Sequence, residues 1–159
     1  MKLTSKGRFA VMSLVDIAIN SVANKPVSLS DISSRQNISL PFLEQIFISL
    51  KKSGIVKSVR GPSGGYIFAK KPDFIKVYDV IKAIDEDLKI MGCNGVDYGC
   101  IPNKRKTKCL THNLWNKLSN HILIFLSSVS INDVRKNSYE SILNFEQNTN
   151  RPNEGDYVQ

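Results

Sequence analysis

The sequence predicts a mainly α-helical chain carrying one small β-hairpin, and three observations predict it. Apolar residues recur with a helical period in several separate stretches, most clearly Leu43, Ile46, Phe47 and Leu50. Two short β-prone runs, Ile55 to Val59 and Tyr66 to Phe68, flank the turn Arg60-Gly61-Pro62-Ser63-Gly64-Gly65, as in a hairpin. One stretch, residues 93–112, breaks the periodicity with glycines and Pro102 while holding all three cysteines.

The chain has 159 residues, which suits one domain with an extension and buries a core without disulfides. It carries 22 basic and 14 acidic residues, a net charge of +8. Residues 1–90 hold 14 of the basic and 8 of the acidic residues, so most of the excess precedes the cysteines. That balance points to a polyanionic partner, nucleic acid or an acidic membrane surface. Three cysteines make a poor disulfide framework and a plausible ligand set in a reducing cytosol. Lys2, Lys6 and Arg8 precede an apolar run from Phe9 to Ile19, and Ser21-Val22-Ala23 mimics a cleavage site. Asp16 inside that run is unsuited to a signal peptide, and no other run approaches membrane-spanning length. The expected location is cytoplasmic, with no membrane partner.

Phe9 to Ile19 is expected to form a mostly buried helix opened by Thr4 or Ser5, with a turn from Asn20 to Pro26. Ser28 and Asp31, three apart, are the ends of a capping box for a short helix reaching about Gln36. Ser39 is placed to cap a third helix, and Pro41 fits its first turn, where no backbone donor is needed. Gly54 ends that helix. A short helix, a tight turn and a longer helix with a polar outer face form a helix-turn-helix, and the hairpin that follows makes it winged. Residues 70–74 link to a fourth helix marked by Val77, Val80, Ile81 and Ile84, with Asp85-Glu86-Asp87 at its exit.

Beyond the cysteines, Leu110, Leu114, Leu118, Ile122, Phe125 and Val129 recur every three or four residues, giving a helix of about 20 residues, roughly 30 Å long. Residues 122–126 are apolar on every side, more than one small domain can cover, so this is expected to be a dimerisation helix. A last short helix is expected within 132–145, and a disordered tail from 144. The organisation is then a winged helix-turn-helix domain at 1–90, a ligand loop at 91–112, dimerisation and terminal helices at 113–143, and the tail.

Between Glu44 and Asp73 stand Lys51, Lys52, Lys57, Arg60, Lys70 and Lys71 with no acidic residue, a stripe able to neutralise phosphates. Arg60 is the residue expected to enter a narrow minor groove, because neighbouring glycines such as Gly61 allow close backbone approach. Glu44 and Gln45 suit major-groove edges: a carboxylate accepts from cytosine N4, and an amide reads adenine. With Ser39 and Pro41 at the helix entry, these residues form the expected DNA-contacting set. The glycine-rich turn lacks the Gly-Lys-Ser/Thr ending of a phosphate-binding loop and precedes no helix, so nucleotide binding is not expected.

Cys93, Cys100, Cys109 and His112 bring three thiols and an imidazole into one stretch, a four-ligand site for a metal or an iron–sulfur cluster. Cys109 and His112, three apart at the start of a helix, lie on one face. His121 is about half a turn out of phase and is expected to be structural or at the surface. Structural zinc also fits three cysteines and a histidine, although its sites commonly use closer cysteine pairs. A small electron carrier or cluster-transfer protein would use the same cysteines but leaves the basic hairpin without a purpose. No nucleophile–base pair or paired carboxylate suggests an enzyme.

The segments LTSKGRFAV (3–11), SLSDISSRQNIS (28–39), FLEQIFISLKKSGIVKSVRGPSGGY (42–66) and KCLTHNLW (108–115) resemble the IscR-type iron–sulfur cluster regulators among the bacterial winged-helix repressors. The resemblance covers about residues 1–135. It implies a homodimer that binds double-stranded operator DNA, holds a 2Fe–2S cluster, and controls genes of cluster biogenesis, with cluster-assembly proteins as donors. It also implies Cys93, Cys100, Cys109 and His112 as ligands, and Glu44, Arg60 and Gly61 as DNA-reading and wing positions. Here the first two ligand gaps are longer than the family pattern, and Lys104, Arg105, Lys106 and Lys108 lie within the second, a change that costs little loop entropy. The nearby positive charge lowers thiol pKa values and favours a reduced cluster.

Overall fold

The computed structural model describes residues 5–21, 25–85 and 111–137, and among them the chain forms six α-helices, one hairpin and a single 3-10 turn. Helix α1 (Ser5–Asn20) starts four residues before the apolar run. It lies at the centre, in contact with all the other helices of the N-terminal region, because Ala10, Leu14 and Ile17 share one fully buried face. Leu14 and Ile17 each contribute about 1.5–3 kcal/mol on burial.

Helix α2 (Leu29–Gln36) is opened by one half of the expected capping box: the Ser28 hydroxyl accepts from the Asp31 N–H at 3.1 Å, without a return bond from the Ser28 N–H to the Asp31 carboxylate. Asn37 stops it in the left-handed conformation at φ 52°, and the buried Ile38 carries the chain into α3 (Leu40–Lys52). Ser39 occupies the N-cap position of α3, but its hydroxyl caps nothing. Pro41 has no N–H to offer at the second position. The Phe42 N–H at the third is taken by the Ser39 carbonyl at 3.1 Å.

Helix α3 ends as glycine chemistry dictates. Gly54 sits at φ 71°, its N–H donates to the Lys51 carbonyl, and the Ile55 N–H reaches back to the Leu50 carbonyl, both at 3.0 Å. The chain turns at once into β1 (Val56–Val59), which pairs antiparallel with β2 (Gly65–Phe68), Val56 opposite Phe68 and Val59 opposite Gly65. The hairpin is pinned to the domain by its far strand. Val27 and Tyr66 exchange two backbone hydrogen bonds at 3.0 and 2.8 Å, and the Tyr66 ring packs on Phe47 with centroids 4.8 Å apart. A Cβ on Gly65 would collide with the Val27 carbonyl, so this close approach requires glycine.

After the 3-10 turn at Pro72–Phe74, helix α4 (Val77–Ala83) opens with the Asp79 carboxylate accepting from the Lys76 N–H at 3.3 Å. The exit carries acid as expected, with Asp85 at φ 56°; Glu86 and Asp87 lie outside the described residues. The Lys6 ammonium donates to the Ile84 carbonyl at 3.0 Å, placing a cation at that helix end.

Helix α5 (His112–Ser128) has 17 residues, fewer than the apolar recurrence suggested; Leu110 lies outside the described residues. Helix α6 (Ile131–Lys136) is opened by Ser130, whose hydroxyl accepts from the Asp133 N–H while the Asp133 carboxylate takes the Ser130 N–H. It ends at Asn137, φ 53°; residues 138–145 of the expected terminal helix, and the expected tail, lie outside the described residues.

The segment between α5 and α6 runs alongside the entry to α4. The Val77 N–H donates to the Val129 carbonyl and the Ile131 N–H to the Ile75 carbonyl, each at 2.9 Å. Ile131 is fully buried in the main core, and Asn132 donates to Asp73 at 2.6 Å. Residues 129–136 are therefore built into the N-terminal core although 45 residues or more separate them from it in sequence order. No helix among the described residues is long and apolar enough to cross a membrane.

Candidate nucleic-acid interface and ligand residues

The burial of Leu43, Ile46, Phe47 and Leu50 fixes which side of α3 faces out. Pro41, Glu44, Gln45, Lys51 and Lys52 are all exposed, as is Ser39 at the helix entry. On β1 only Val56 is buried, so Lys57 also projects into solvent. Arg60 and Gly61 are exposed in the turn, Gly61 at φ 122°, and the Gly64 N–H closes the turn on the Gly61 carbonyl at 2.9 Å. The Lys51 ammonium donates to the Ser58 hydroxyl at 2.8 Å and so joins the last turn of α3 to the hairpin. The nine residues expected to contact DNA are all solvent-accessible, and this bond joins their two groups. Lys70 and Lys71 are exposed as well, which leaves the stretch from Glu44 to Asp73 cationic at the surface.

What ties α2 to α1 is a charge whose only evident meaning in the sequence is to argue against secretion. Asp16 is 2% exposed inside α1 and receives the Arg35 guanidinium at 2.6 and 3.0 Å and the Gln36 amide at 2.8 Å. Burial alone would raise its pKa, but the hydrogen bonds from Arg35 and Gln36, the Arg35 charge and the Asn20 amide outweigh it and hold the carboxyl below its ordinary value. The same bond raises Arg35. An acid in an apolar helix was the available signal; its partner 19 residues later was not.

Of the four expected ligands, Cys93, Cys100 and Cys109 lie outside the described residues. His112 is the first residue of α5 and the one α5 residue that is buried, at 6% exposure. His121, on the same helix, is exposed. The helix keeps Phe125 and Leu126 against Val77, Ile81 and Val129. Leu114, Trp115, Leu118 and Ile124 are between 41% and 60% exposed, so much of its apolar surface is uncovered in the single chain.

Residues 3–137 match the Rrf2 family, described as an iron-dependent transcriptional regulator. The chain is 49% identical over 134 residues to the HTH-type transcriptional regulator IscR of Aliivibrio salmonicida, covering 84% of this chain and 77% of that protein. It is 47% identical over 137 residues to the HTH-type transcriptional regulator IscR of Escherichia coli O1:K1, covering 86% and 82%. Among solved structures, IscR of T. potens aligns with a TM-score of 0.68 at 35% identity over 89% of this chain and 90% of that one. CymR, the global cysteine regulator of B. subtilis, aligns with a TM-score of 0.71 at 25% identity over 87% and 98%. The IscR relatives are transcriptional regulators and not enzymes. With its helix-turn-helix, pinned hairpin wing and a family match over most of its length, this chain belongs to the Rrf2 family of transcriptional regulators, as an IscR-type member.

Proposed function

We propose that the protein acts as a homodimer that binds operator DNA through α3 and the wing, and that it matches this binding to iron–sulfur status through a 2Fe–2S cluster on Cys93, Cys100, Cys109 and His112, controlling cluster-biogenesis genes. The observation that carries the DNA reading is the exposed cationic face of α3, tied to the wing by the Lys51–Ser58 bond. Lys51, Lys52, Lys57 and Arg60 neutralise phosphates, while Glu44 and Gln45 face base edges. The uncovered apolar side of α5 supports pairing with a second copy, which would present two α3 helices to a palindromic site.

The donor set suits the cluster: three thiols and an imidazole complete its ligation, and His112 is held at the buried start of α5. When bound, the cluster supplies a reversible cross-link that iron supply and oxidation can remove. His112 would transmit that cross-link to α5, whose other end is bonded to the entry of α4. Lys76 strengthens this junction by donating to the Ser128 carbonyl at 2.8 Å.

Anaerobic purification with iron, sulfide and zinc analysis tests the ligand set, repeated for Cys109→Ala and His112→Ala. Iron and sulfide in equal amounts, lost in both variants, are expected. Zinc without sulfide would replace the cluster by a structural zinc site. Gel-shift titration against promoters of cluster-assembly genes should show binding that weakens steeply with salt; absent or salt-independent binding would favour an electron carrier.

A further inference from the structure

The ridge of α3 opposite its buried stripe runs Pro41, Gln45, Ile48 and Lys52, at steps of four, three and four residues. Ile48 is the anomaly on it. It is 66% exposed, near the middle of the outward face, and its helical neighbours Glu44, Gln45, Lys51 and Lys52 are all exposed and polar or charged. The helix gains its core from Leu43, Ile46, Phe47 and Leu50, to which Ile48 adds nothing. A β-branched aliphatic side chain is also a poorer helix former than the polar residues around it.

We propose that Ile48 is a specificity residue for the DNA that α3 reads, packing on the C5-methyl group of a thymine in the major groove. This rests on the DNA-binding function proposed above. The thymine methyl is the one apolar group on the major-groove edge, and aliphatic side chains on a recognition helix are its natural partners. Glu44 and Gln45 lie one turn earlier, about 5 Å along the helix axis, so the three side chains address successive parts of one half-site. Ile48 is short and stiff at χ1, so it holds its methyl groups in place without the rotamer entropy that an ordered lysine loses.

The test begins with operator duplexes selected by the wild-type protein from a random-sequence pool. Each thymine of the selected site is then replaced by deoxyuridine, which removes the methyl and leaves the hydrogen-bonding edge intact. Wild type should lose about fourfold in affinity when the contacted thymine of one half-site is changed, the scale of one methyl withdrawn from water, and roughly fifteenfold when both half-sites are changed. Ile48→Ser should fold normally, since the position is exposed, and should bind thymine and deoxyuridine sites equally; Ile48→Val should keep most of the discrimination. If wild type is indifferent to every substitution, or if Ile48→Ser loses as much as wild type at the same thymine, Ile48 does not read the methyl although the protein binds DNA. If no duplex is enriched, DNA binding fails and this role with it.

Discussion

Asp16 of α1 and Arg35 of α2 form a two-bond ion pair in which the carboxylate is buried and the guanidinium is 39% exposed. The first element of the helix-turn-helix is thereby locked in rotation against the central helix. Arg35→Ala leaves Asp16 buried with Gln36 and Asn20 only. The expected loss is about 1.5–2 kcal/mol, at the low end for a charged hydrogen bond because Arg35 is partly solvated. Urea unfolding checks it; an unchanged midpoint would mean that water replaces Arg35 at no cost.

The same carboxyl gives a pH dependence of defined sign. Its folded pKa lies below the ordinary 3.8, so its contribution is complete above that value and disappears as pH falls through the folded pKa. Asp133, lowered chiefly by the Ser130 hydroxyl and backbone N–H, acts in the same direction. Melting temperatures of wild type and Asp16→Asn should be well separated at pH 6, and the gap should narrow progressively as pH is lowered from there to below 3.8. A constant gap across that range would remove Asp16 from the acid response.

Gly65→Ala should do more harm than its exposure suggests. The new methyl would overlap the Val27 carbonyl, so either the two Val27–Tyr66 bonds open or the wing swings away. A cost of about 1–3 kcal/mol is expected, together with faster exchange of the Tyr66 amide. Gly61→Ala is the control: at φ 122° it carries backbone strain too, but nothing lies within 4 Å of its Cβ position, so the Tyr66 amide should stay protected.

Arg60→Ala should weaken operator binding and lower the slope of log affinity against log salt by about one, as expected when one phosphate is no longer neutralised. If the slope is unchanged while affinity falls, Arg60 reads the groove without neutralising a phosphate.

Leu114→Lys with Leu118→Lys places two charges on the uncovered side of α5. Sedimentation should show a wild-type dimer and a variant dissociating at least tenfold more readily, with the helical signal intact. A variant that stays dimeric would move the interface elsewhere.

Local chemistry made much of this fold readable in advance. The Ser28–Asp31 cap, the buried stripe of α3, the Gly54 stop and the glycine-rich hairpin turn each depend on residues within one or two turns of each other. Ser39 is legible as an N-cap position but not in its chemistry, because Pro41 removes a donor that its hydroxyl would have met. The pairings of Val27 with Tyr66 and of Ile75 to Val77 with Val129 to Ile131 were not readable. They join segments tens of residues apart through backbone groups, which leave no mark on side-chain periodicity. Of the expected ligand set the structure places His112, and of the DNA-facing set it exposes every member. Ile48 stands among them unannounced, because it has neither the charge nor the hydrogen-bonding capacity that marks the others in a sequence.

Helix α5 is fastened at its C-terminal end by the Val77–Val129 and Lys76–Ser128 bonds, and begins at His112, about 25 Å away along its axis. Fastened at its C-terminal end, the helix has the mechanics of a lever arm whose pivot is the entry to α4. A displacement at His112 reaches the pivot reduced in amplitude, so the α4 junction moves less than the start of α5. Under the function proposed above, that arm would pass on the large displacement that accompanies loss of a ligand and reduce smaller ones in proportion.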